Sequence, residues 1–466
     1  MRIAFIANYE RTICFYQVAK RLEAEGNKVF WISPSRYWSN WLRKAGICSS
    51  SILDLTRYAH VWKNRLATRK ELEELASLEA ISGIFINDLI LMDRILRRRP
   101  KGHVSAYLAT TNRIIRKYLA DNSIQIVFAE QTFGIEILTS LVCRTLNIEM
   151  LAPASVRIPS GHLGFFRGHL QEELVQLCTV SESDRRWATS FLDEFRSKKP
   201  RPDYFHLNNR QPLPQLSWPG KLFRHFLRSF DDPNDETHFS PTWLMRQRIR
   251  EVINAWKNLR NHDFDKKPFQ NRCFYILVTL HRQPEASVDV LASKYSNQTE
   301  FIRVLARSLP VNYQIYVKEH SNGLGDRSPQ ELKQILKIPG VKLIHPYVDT
   351  FDLIKGAEAV VSLSGTVSFE AALLGKPAAC VAPMFFGPLL VANGIDPYRN
   401  GLSGLFSAPK KLPSDESIIN FLSFIKSASF PGKLNNPNFD KDSLSSDNLT
   451  LVSRGFSRVL KKMNSC

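Results

Sequence analysis

A chain of 466 residues is longer than one ordinary hydrophobic core organises, so two or three domains are expected. Its 44% apolar and 23% charged residues are those of a soluble globular protein. With 63 Lys and Arg against 44 Asp and Glu, the net charge of +19 favours anionic partners: nucleotides, phospholipid surfaces, acidic glycans or nucleic acid.

Several classes are then set aside. There is no run of ~18 apolar residues, so no transmembrane helix is expected. The start, MRIAFIANYE, lacks a signal peptide's apolar core and cleavage site and reads as a first strand. The cysteines (Cys14, Cys48, Cys143, Cys178, Cys273, Cys380 and Cys466) are scattered without a CxxC pair. That predicts reduced, buried thiols in a cytoplasmic protein, and argues against a disulfide framework or a zinc site. Dispersed basic residues without an aromatic-basic RNA motif argue against a nucleic-acid partner.

Arg2 to Ala7 is a strand-like run. After the polar turn Asn8 to Thr12, the residues Phe15, Val18, Ala19 and Leu22 fall at i, i+3, i+4 and i+7 on one helical face. Gly26 ends that helix and Lys28 to Ile32 is the next strand, a β-α-β unit. No GxGxxG is present, so a tightly bound dinucleotide is not expected here, and a loop carrying Arg11 suits an acceptor side. Residues 55–120 read as mainly helical. The basic run Arg97-Arg98-Arg99-Pro100-Lys101 between those helices is a solvated loop or an anionic contact.

A second β-α-β has a strand at Ile124 to Ala129, a helix at Gly134 to Leu146 and a strand at Glu149 to Leu151. Glu130 stands at the carboxyl end of the first strand, where open parallel sheets bind ligands. It is read as a cleft carboxylate or as a loop cap. Arg157 follows the next strand in the same way, as a candidate contact for an anionic substrate group. From 181 to 268 the composition turns to Arg, Lys, Pro, Asn and Asp, which predicts a basic linker or insertion. Within it, Lys221 to Phe230 and Leu244 to Arg260 combine basic and bulky apolar residues. Such segments lie on an anionic bilayer surface or pack as helices on the adjacent domain.

Phe274 to Leu280 opens a second α/β domain as a buried strand. Further strands at Gln314 to Lys318, Val341 to Ile344 and Ala359 to Val361 alternate with helices, which implies a parallel doubly wound sheet. The stretch 408–450 is rich in Pro, Ser, Asn and Asp and reads as a loosely held tail before a basic helix at Leu451 to Met463. Three loops leave the carboxyl ends of the second domain's strands: His281-Arg282, Lys318-Glu319-His320, and Ser362 to Thr366. Those ends share one edge, so a cation or imidazole from the first two is expected beside a phosphate held by the third. Ser364 and Thr366 offer hydroxyls, Gly365 a close backbone approach, and the following helix free N–H groups. Glu370, one helical turn past Thr366, is placed for ribose hydroxyls or as a capping carboxylate. His320 also fits an ordinary loop histidine. No His/Asp cluster has ligand spacing, and the DxD at Asp263-Phe264-Asp265 reads as part of the polar linker, so no metal is expected.

The loops VTLHRQPEAS, YVKEH and SLSGTVSFEAALLGKPAACVAPMFF resemble the capsule polysaccharide biosynthesis proteins. These are bacterial two-Rossmann (GT-B) glycosyltransferases, several of which transfer 3-deoxy-manno-octulosonic acid from its CMP-activated form. The resemblance covers about residues 270–390 and is weaker over the N-terminal domain. It implies that His320 stands for the histidine of the family's His-Pro motif, which binds the donor phosphate, and that Ser364 and Thr366 stand for its hydroxyl motif. Here Ser321 follows His320 where the family has proline, and a His-Pro occurs later, at His345-Pro346. A UDP- or GDP-linked sugar therefore stays open beside the CMP-linked one. LVTLHRQPEASVD also looks like the THR-type loop of the UDP-N-acetylglucosamine 2-epimerases. Against that stand Ser-Gly-Thr in place of Ser-Gly-Gly, and Asn8-Tyr9-Glu10-Arg11 in place of a Gly-Thr-Arg-Pro-Glu loop.

The expected fold is α/β, with two Rossmann-like doubly wound domains facing a cleft in the GT-B manner. An acceptor-side domain spans 1–180, the linker 181–268, a nucleotide-sugar domain 269–430, and a tail with the C-terminal helix 431–466. The expected activity is metal-independent glycosyl transfer that builds a capsule or other surface polysaccharide. The donor is a nucleotide-sugar, with no further cofactor, and the acceptor a glycan or glycolipid. His281, Arg282, Lys318, His320, Ser364, Gly365, Thr366 and Glu370 would serve the donor, Arg11 and Arg157 the acceptor, and Glu130 the proton transfer. An epimerase and a non-catalytic polysaccharide-assembly protein of the same fold are the alternatives. The expected location is cytoplasmic, with peripheral association to an anionic membrane face left open.

Overall fold

The computed structural model of the chain describes residues 1–198, 218–261, 263–270, 273–401 and 412–465. The proline-rich middle of the expected linker, the start of the expected tail and Cys466 lie outside them. Two compact units result: Met1–Thr179 with Pro219–Pro241 and Ser427–Cys466, and Val180–Trp218 with Thr242–Lys426.

In the first unit β1 (Arg2–Ile6), β2 (Lys28–Ser33), β3 (Ile52–Asp54), β4 (Ile126–Phe128), β5 (Glu149–Ser155) and β6 (His162–Arg167) lie in the order β6-β5-β4-β1-β2-β3. The first five are parallel, and β6 turns back antiparallel on β5. Chain direction across the sheet reverses between β1 and β4, the switch point of a doubly wound sheet, where a crevice opens beyond the strand ends. The helix Arg11–Ala24 buries Phe15, Val18, Ala19 and Leu22, the face that their spacing predicts. Register places Phe5 beside both Trp31 and Phe128, so three rings stack across one face at 5.3 and 5.2 Å.

In the second unit β7 (Phe274–Thr279), β8 (Tyr313–Lys318), β9 (Val341–Ile344), β10 (Ala359–Ser362), β11 (Ala378–Cys380) and β12 (Ala392–Asn393) form an all-parallel sheet. Its order, β12-β11-β10-β7-β8-β9, repeats the doubly wound pattern, with the switch point between β7 and β10. Runs such as Tyr275 to Val278 and Ala359 to Ser362 are buried throughout, as strands covered on both faces require.

The described parts of 181–268 are more ordered than a linker. Glu182–Lys198 is a helix that buries Ala188, Leu192 and Phe195, and its Arg196 pairs with Asp415 at 2.7 Å. The helix Trp218–Asp231 and the turns after it belong to the first unit, where Asp232, Asp235, Glu236 and Thr237 are buried. Asp232 caps the helix Arg36–Lys44, accepting from Ser35 Oγ at 3.0 Å and the Tyr37 N–H at 3.2 Å. Glu236 takes Arg99 at 3.1 Å and His103 at 2.8 Å, so Arg99 of the basic run is an internal partner. Composition misleads here because much of this polar stretch, Asp235 and Glu236 among it, is buried through paired charges.

The described part of 408–450 is no loose tail. Asp415–Ala428 is a helix with Ile418, Leu422 and Ile425 fully buried, a periodicity that the surrounding Ser, Asn and Asp residues obscure. β13 (Ser429–Pro431) pairs antiparallel with β6 and brings the first sheet to seven strands. The helix Ser446–Ser465 then carries Phe456 into the aromatic core, 4.8 Å from Phe128 and 4.9 Å from Phe165. Gly455 permits this approach, since a Cβ there would fall 2.3 Å from the Phe430 ring. Cys14, Cys143 and Cys380 are buried as expected, whereas Cys48 and Cys178 are exposed. No single helix among the described residues is long and apolar enough to cross a membrane.

Candidate functional site

At the second unit's switch point, the connection leaving β7 meets the turn leaving β10. The backbone of His281 is pinned: its N–H donates to Gln298 Oε1 at 2.8 Å, and its carbonyl accepts from Gln298 Nε2 at 3.0 Å and from Arg327 at 2.7 Å. The His281 ring lies against Gly365, where a Cβ would fall 3.2 Å from Cε1 and 3.3 Å from Nε2. That Nε2 is buried and has no hydrogen-bond partner among the described residues. Burial first, then His320 and Arg327, push this imidazole down to about 3, so it is neutral at pH 7.

The turn after β10 is held from within. Ser362 Oγ accepts from the Gly365 N–H at 3.1 Å and meets Ser368 Oγ at 2.8 Å. Ser364 Oγ donates to the Ser287 carbonyl at 2.6 Å. The Ser364 and Gly365 protons expected at a phosphate are thus committed to the protein, although the serine oxygen can still accept. Thr366 remains. Its hydroxyl, and the N–H groups of Thr366 and Val367 that open the helix Thr366–Leu373, bond to nothing among the described residues. These N–H groups carry the positive end of the helix. Glu370 lies on the same helix, half-buried.

At the end of β8, Lys318 is buried and its Nζ donates to the Pro346 carbonyl at 2.8 Å; burial lowers it to about 8. Glu319 is fully buried, with Arg327 Nη1 at 2.7 and 2.9 Å from its two oxygens. Because Arg327 also bonds the His281 carbonyl, one ion pair ties the ends of β7 and β8 together. His320 reaches solvent, and its Nδ1 accepts from the Asn322 N–H at 3.1 Å. Desolvation by the surrounding protein first, then Arg282, Lys318 and Arg327, lowers it from the ordinary 6.5 to about 4. Arg282 pairs with Asp326 at 3.2 Å. Sequence reasoning passed over Arg327, Gln298, Ser287 and Ser362 as site residues. Their partners stand three to 77 positions away in loops without periodicity, which leaves no local signal. The DxD is also placed differently. Asp265 bridges to Ile344 at the end of β9 and Phe264 is buried, so the motif extends the sheet. Among the described residues no group of three or more His, Cys, Asp or Glu is arranged to hold a metal ion.

The first unit's switch point brings two predicted residues together. Arg11, just after β1, and Glu130, just after β4, form an ion pair at 3.3 Å. Arg157 lies on the turn between β5 and β6 with φ 68°, a strained conformation for a side-chain-bearing residue. Behind the pair sits Glu136, a residue the sequence did not single out. It is almost fully buried and accepts from the Thr132 and Phe133 N–H groups at 2.8 Å each and from Asn8 Nδ2 at 3.2 Å. Burial first, then the charge of Glu130, raises it from the ordinary 4.5 to about 7. A raised carboxyl is protonated in the native state while the unfolded chain is already ionised. This group's contribution to stability is therefore fully present below pH 4.5 and is lost as pH rises to about 7. Glu136→Gln is expected to remove that contribution, so that stability falls less with rising pH over this interval in urea unfolding across the pH range. A variant with the wild-type slope would overturn the assignment.

A depression of about 780 Å³ in the first unit is lined by Ser140, Arg144, Glu149, Arg167 and Glu173 among others. It includes the amino-terminal end of β5, and none of the predicted site residues lines it.

No family model matches the chain, and no curated protein matches it. Among solved structures, the KpsC β-Kdo 2,7 transferase of Thermosulfurimonas dismutans is similar at 13% identity and TM-score 0.34, covering 93% of each chain. A glycosyltransferase from Rickettsia africae is similar at 9% identity and TM-score 0.27, over 99% of this chain and 98% of that one. A UDP-GlcNAc 2-epimerase from Neisseria meningitidis bound to UDP-GlcNAc is similar at 14% identity and TM-score 0.26, over 100% of both. Likeness at this level assigns no activity.

Proposed function

We propose that the second unit holds the phosphate of a nucleotide-sugar at the β7/β10 switch point, and that the chain is a glycosyltransferase. The observation that carries this reading is the donor set left open there. The N–H groups of Thr366 and Val367 and the Thr366 hydroxyl stand on the turn that packs against the partnerless Nε2 of a neutral His281. Fixed donors of this kind stabilise the charge that develops on a departing phosphate, because they need no reorganisation as the bond breaks. Lys318 adds a buried positive charge near the same strand ends, His320 a neutral imidazole at the rim, and Glu370 a carboxylate for ribose hydroxyls.

The sequence resemblance of these loops supports a sugar nucleotide for a capsule or other surface polysaccharide, linked to CMP, UDP or GDP. In the first unit, the Arg11–Glu130 pair is assigned to the acceptor. Glu130 would take the proton of the attacking hydroxyl, and Arg157 would meet an anionic group of the glycan or glycolipid. The reading is metal-independent, so activity is expected to survive chelation.

Isothermal titration with CMP, UDP and GDP tests it. One of them is expected to bind, and Thr366→Val to weaken that binding by about tenfold or more, the loss of a hydrogen bond to a charged oxygen. Binding of none of the three sinks the proposal. Mass spectrometry of a donor incubation with and without acceptor glycan distinguishes transfer, which needs the acceptor, from epimerisation, which does not.

A further inference from the structure

The helix Pro241–Leu259 in the second unit is amphipathic, but its faces are reversed. Of the four residues buried in the protein, three are polar amides and the fourth is the small Ala255. Asn254 Nδ2 donates to the Gly325 carbonyl at 3.3 Å, Asn258 Nδ2 to the carbonyls of Leu324 and Arg327 at 2.8 and 2.9 Å, and Gln247 is buried beside them. The residues turned out are Met245, Ile249, Ile253, Trp256 and Leu259, each between 46% and 55% exposed. At 3.6 residues per turn these five occupy an arc of about 120°, and the buried amides lie opposite them. Cations flank the apolar arc: Arg246, Arg250 and Lys257 follow one edge, and the Arg260 guanidinium lies 4.0 Å over the Trp256 ring.

A surface helix usually hides its apolar face, so a helix held by its amides with its apolar face outward leaves that face for another apolar phase. The occupant must also accept several positive charges at the edge of the arc. We propose that this face seats the protein on an anionic lipid bilayer, its five apolar side chains entering the headgroup boundary and its cations meeting lipid phosphates. Tryptophan with an arginine stacked on it suits that boundary, where one end of the side chain is apolar and the other wet. The helix Trp218–Asp231 of the first unit repeats the reversal independently. It exposes Phe223, Phe226, Leu227 and Phe230, while His225 bonds inward to the Phe239 carbonyl at 2.7 Å and Arg228 pairs with Asp235 at 3.4 Å.

Vesicle flotation of the full chain tests the proposal, and its result does not depend on any sugar chemistry. The protein is expected to float with phosphatidylcholine vesicles carrying about 30% phosphatidylglycerol, and to be released by about 1 M salt or by omitting the anionic lipid. Ile249→Glu with Trp256→Glu should lower the bound fraction at least about tenfold. Arg246→Gln, Arg250→Gln and Lys257→Gln should each weaken partition by about fivefold. Arg246 and Lys257 are exposed, so their glutamine variants should keep the wild-type melting temperature, whereas Arg250 also donates to the buried Gln247. If the glutamate variant folds poorly, the three glutamine variants decide the question. The proposal fails if the wild type does not float, or if these variants float as it does. It also fails if the wild type is a dimer that Ile249→Glu makes monomeric, since a second copy would then be the occupant.

Discussion

Arg327→Met is expected to destabilise the second unit by about 3–5 kcal/mol, the cost of leaving one half of a buried ion pair behind. Glu319 is 1% exposed, and among the described residues its carboxylate accepts, apart from Arg327, only the His320 N–H, at 2.8 Å. Methionine restores most of the volume but none of the charge. Burial already raises Glu319 against the pull of Arg327, so loss of the guanidinium raises it further. The deficit should therefore shrink at acidic pH, where Glu319 takes up a proton. It should largely disappear in the double variant Glu319→Gln with Arg327→Met, which removes the charge altogether. Urea unfolding of the single and double variants at pH 5 and 8 measures both effects. A single variant within 1 kcal/mol of wild type would show that the pair is not what holds these loops.

Gly365→Ala should abolish nucleotide binding or turnover, by about 100-fold or more, while leaving stability nearly unchanged. Gly365 has φ −79°, a conformation alanine adopts freely, so no backbone penalty arises. The obstacle is steric and local. The new methyl would lie 3.2 Å from His281 Cε1, 3.3 Å from Nε2 and 3.3 Å from Ser362 Cβ. His281 cannot withdraw as a body, because three hydrogen bonds hold its backbone; its ring or the turn must give by a few tenths of an ångström. Either movement displaces the unpaired Nε2 from the Thr366 donors. Trimming the ring, with His281→Ala in the Gly365→Ala background, should return part of the affinity by freeing space. A Gly365→Ala protein that titrates with nucleotide as the wild type does would remove this contact from the site.

The candidate residues of both units became legible at strand ends. In the second, the strand ends announced themselves because each buried strand is a continuous apolar run followed by polar residues, as at Val278-Thr279-Leu280-His281 and Val360-Val361-Ser362. The first unit's strand ends gave up Arg11 and Glu130 in the same way, and the ion pair between them follows from the switch-point topology. Glu136 stayed hidden, because one carboxylate in the first turn of an apolar helix looks like an ordinary capping residue. Only its burial beside Glu130 distinguishes it.

The sequence by itself determined the main strands of the two sheets, their parallel α/β layout and the loops that cluster at one sheet edge, but not the helices Glu182–Lys198 and Asp415–Ala428. Local apolar periods and caps carry that information within a few residues of each element. The tertiary structure alone decided which donors in those loops stay free. Ser364 is spent on Ser287 and Lys318 on Pro346, while Thr366 and His281 Nε2 are left open. Hydrogen-bond competition between residues 28 and 77 positions apart has no local pattern to read. The same holds for the helix Pro241–Leu259: its period shows two faces, and only its amide bonds to Leu324, Gly325 and Arg327 show which one turns outward.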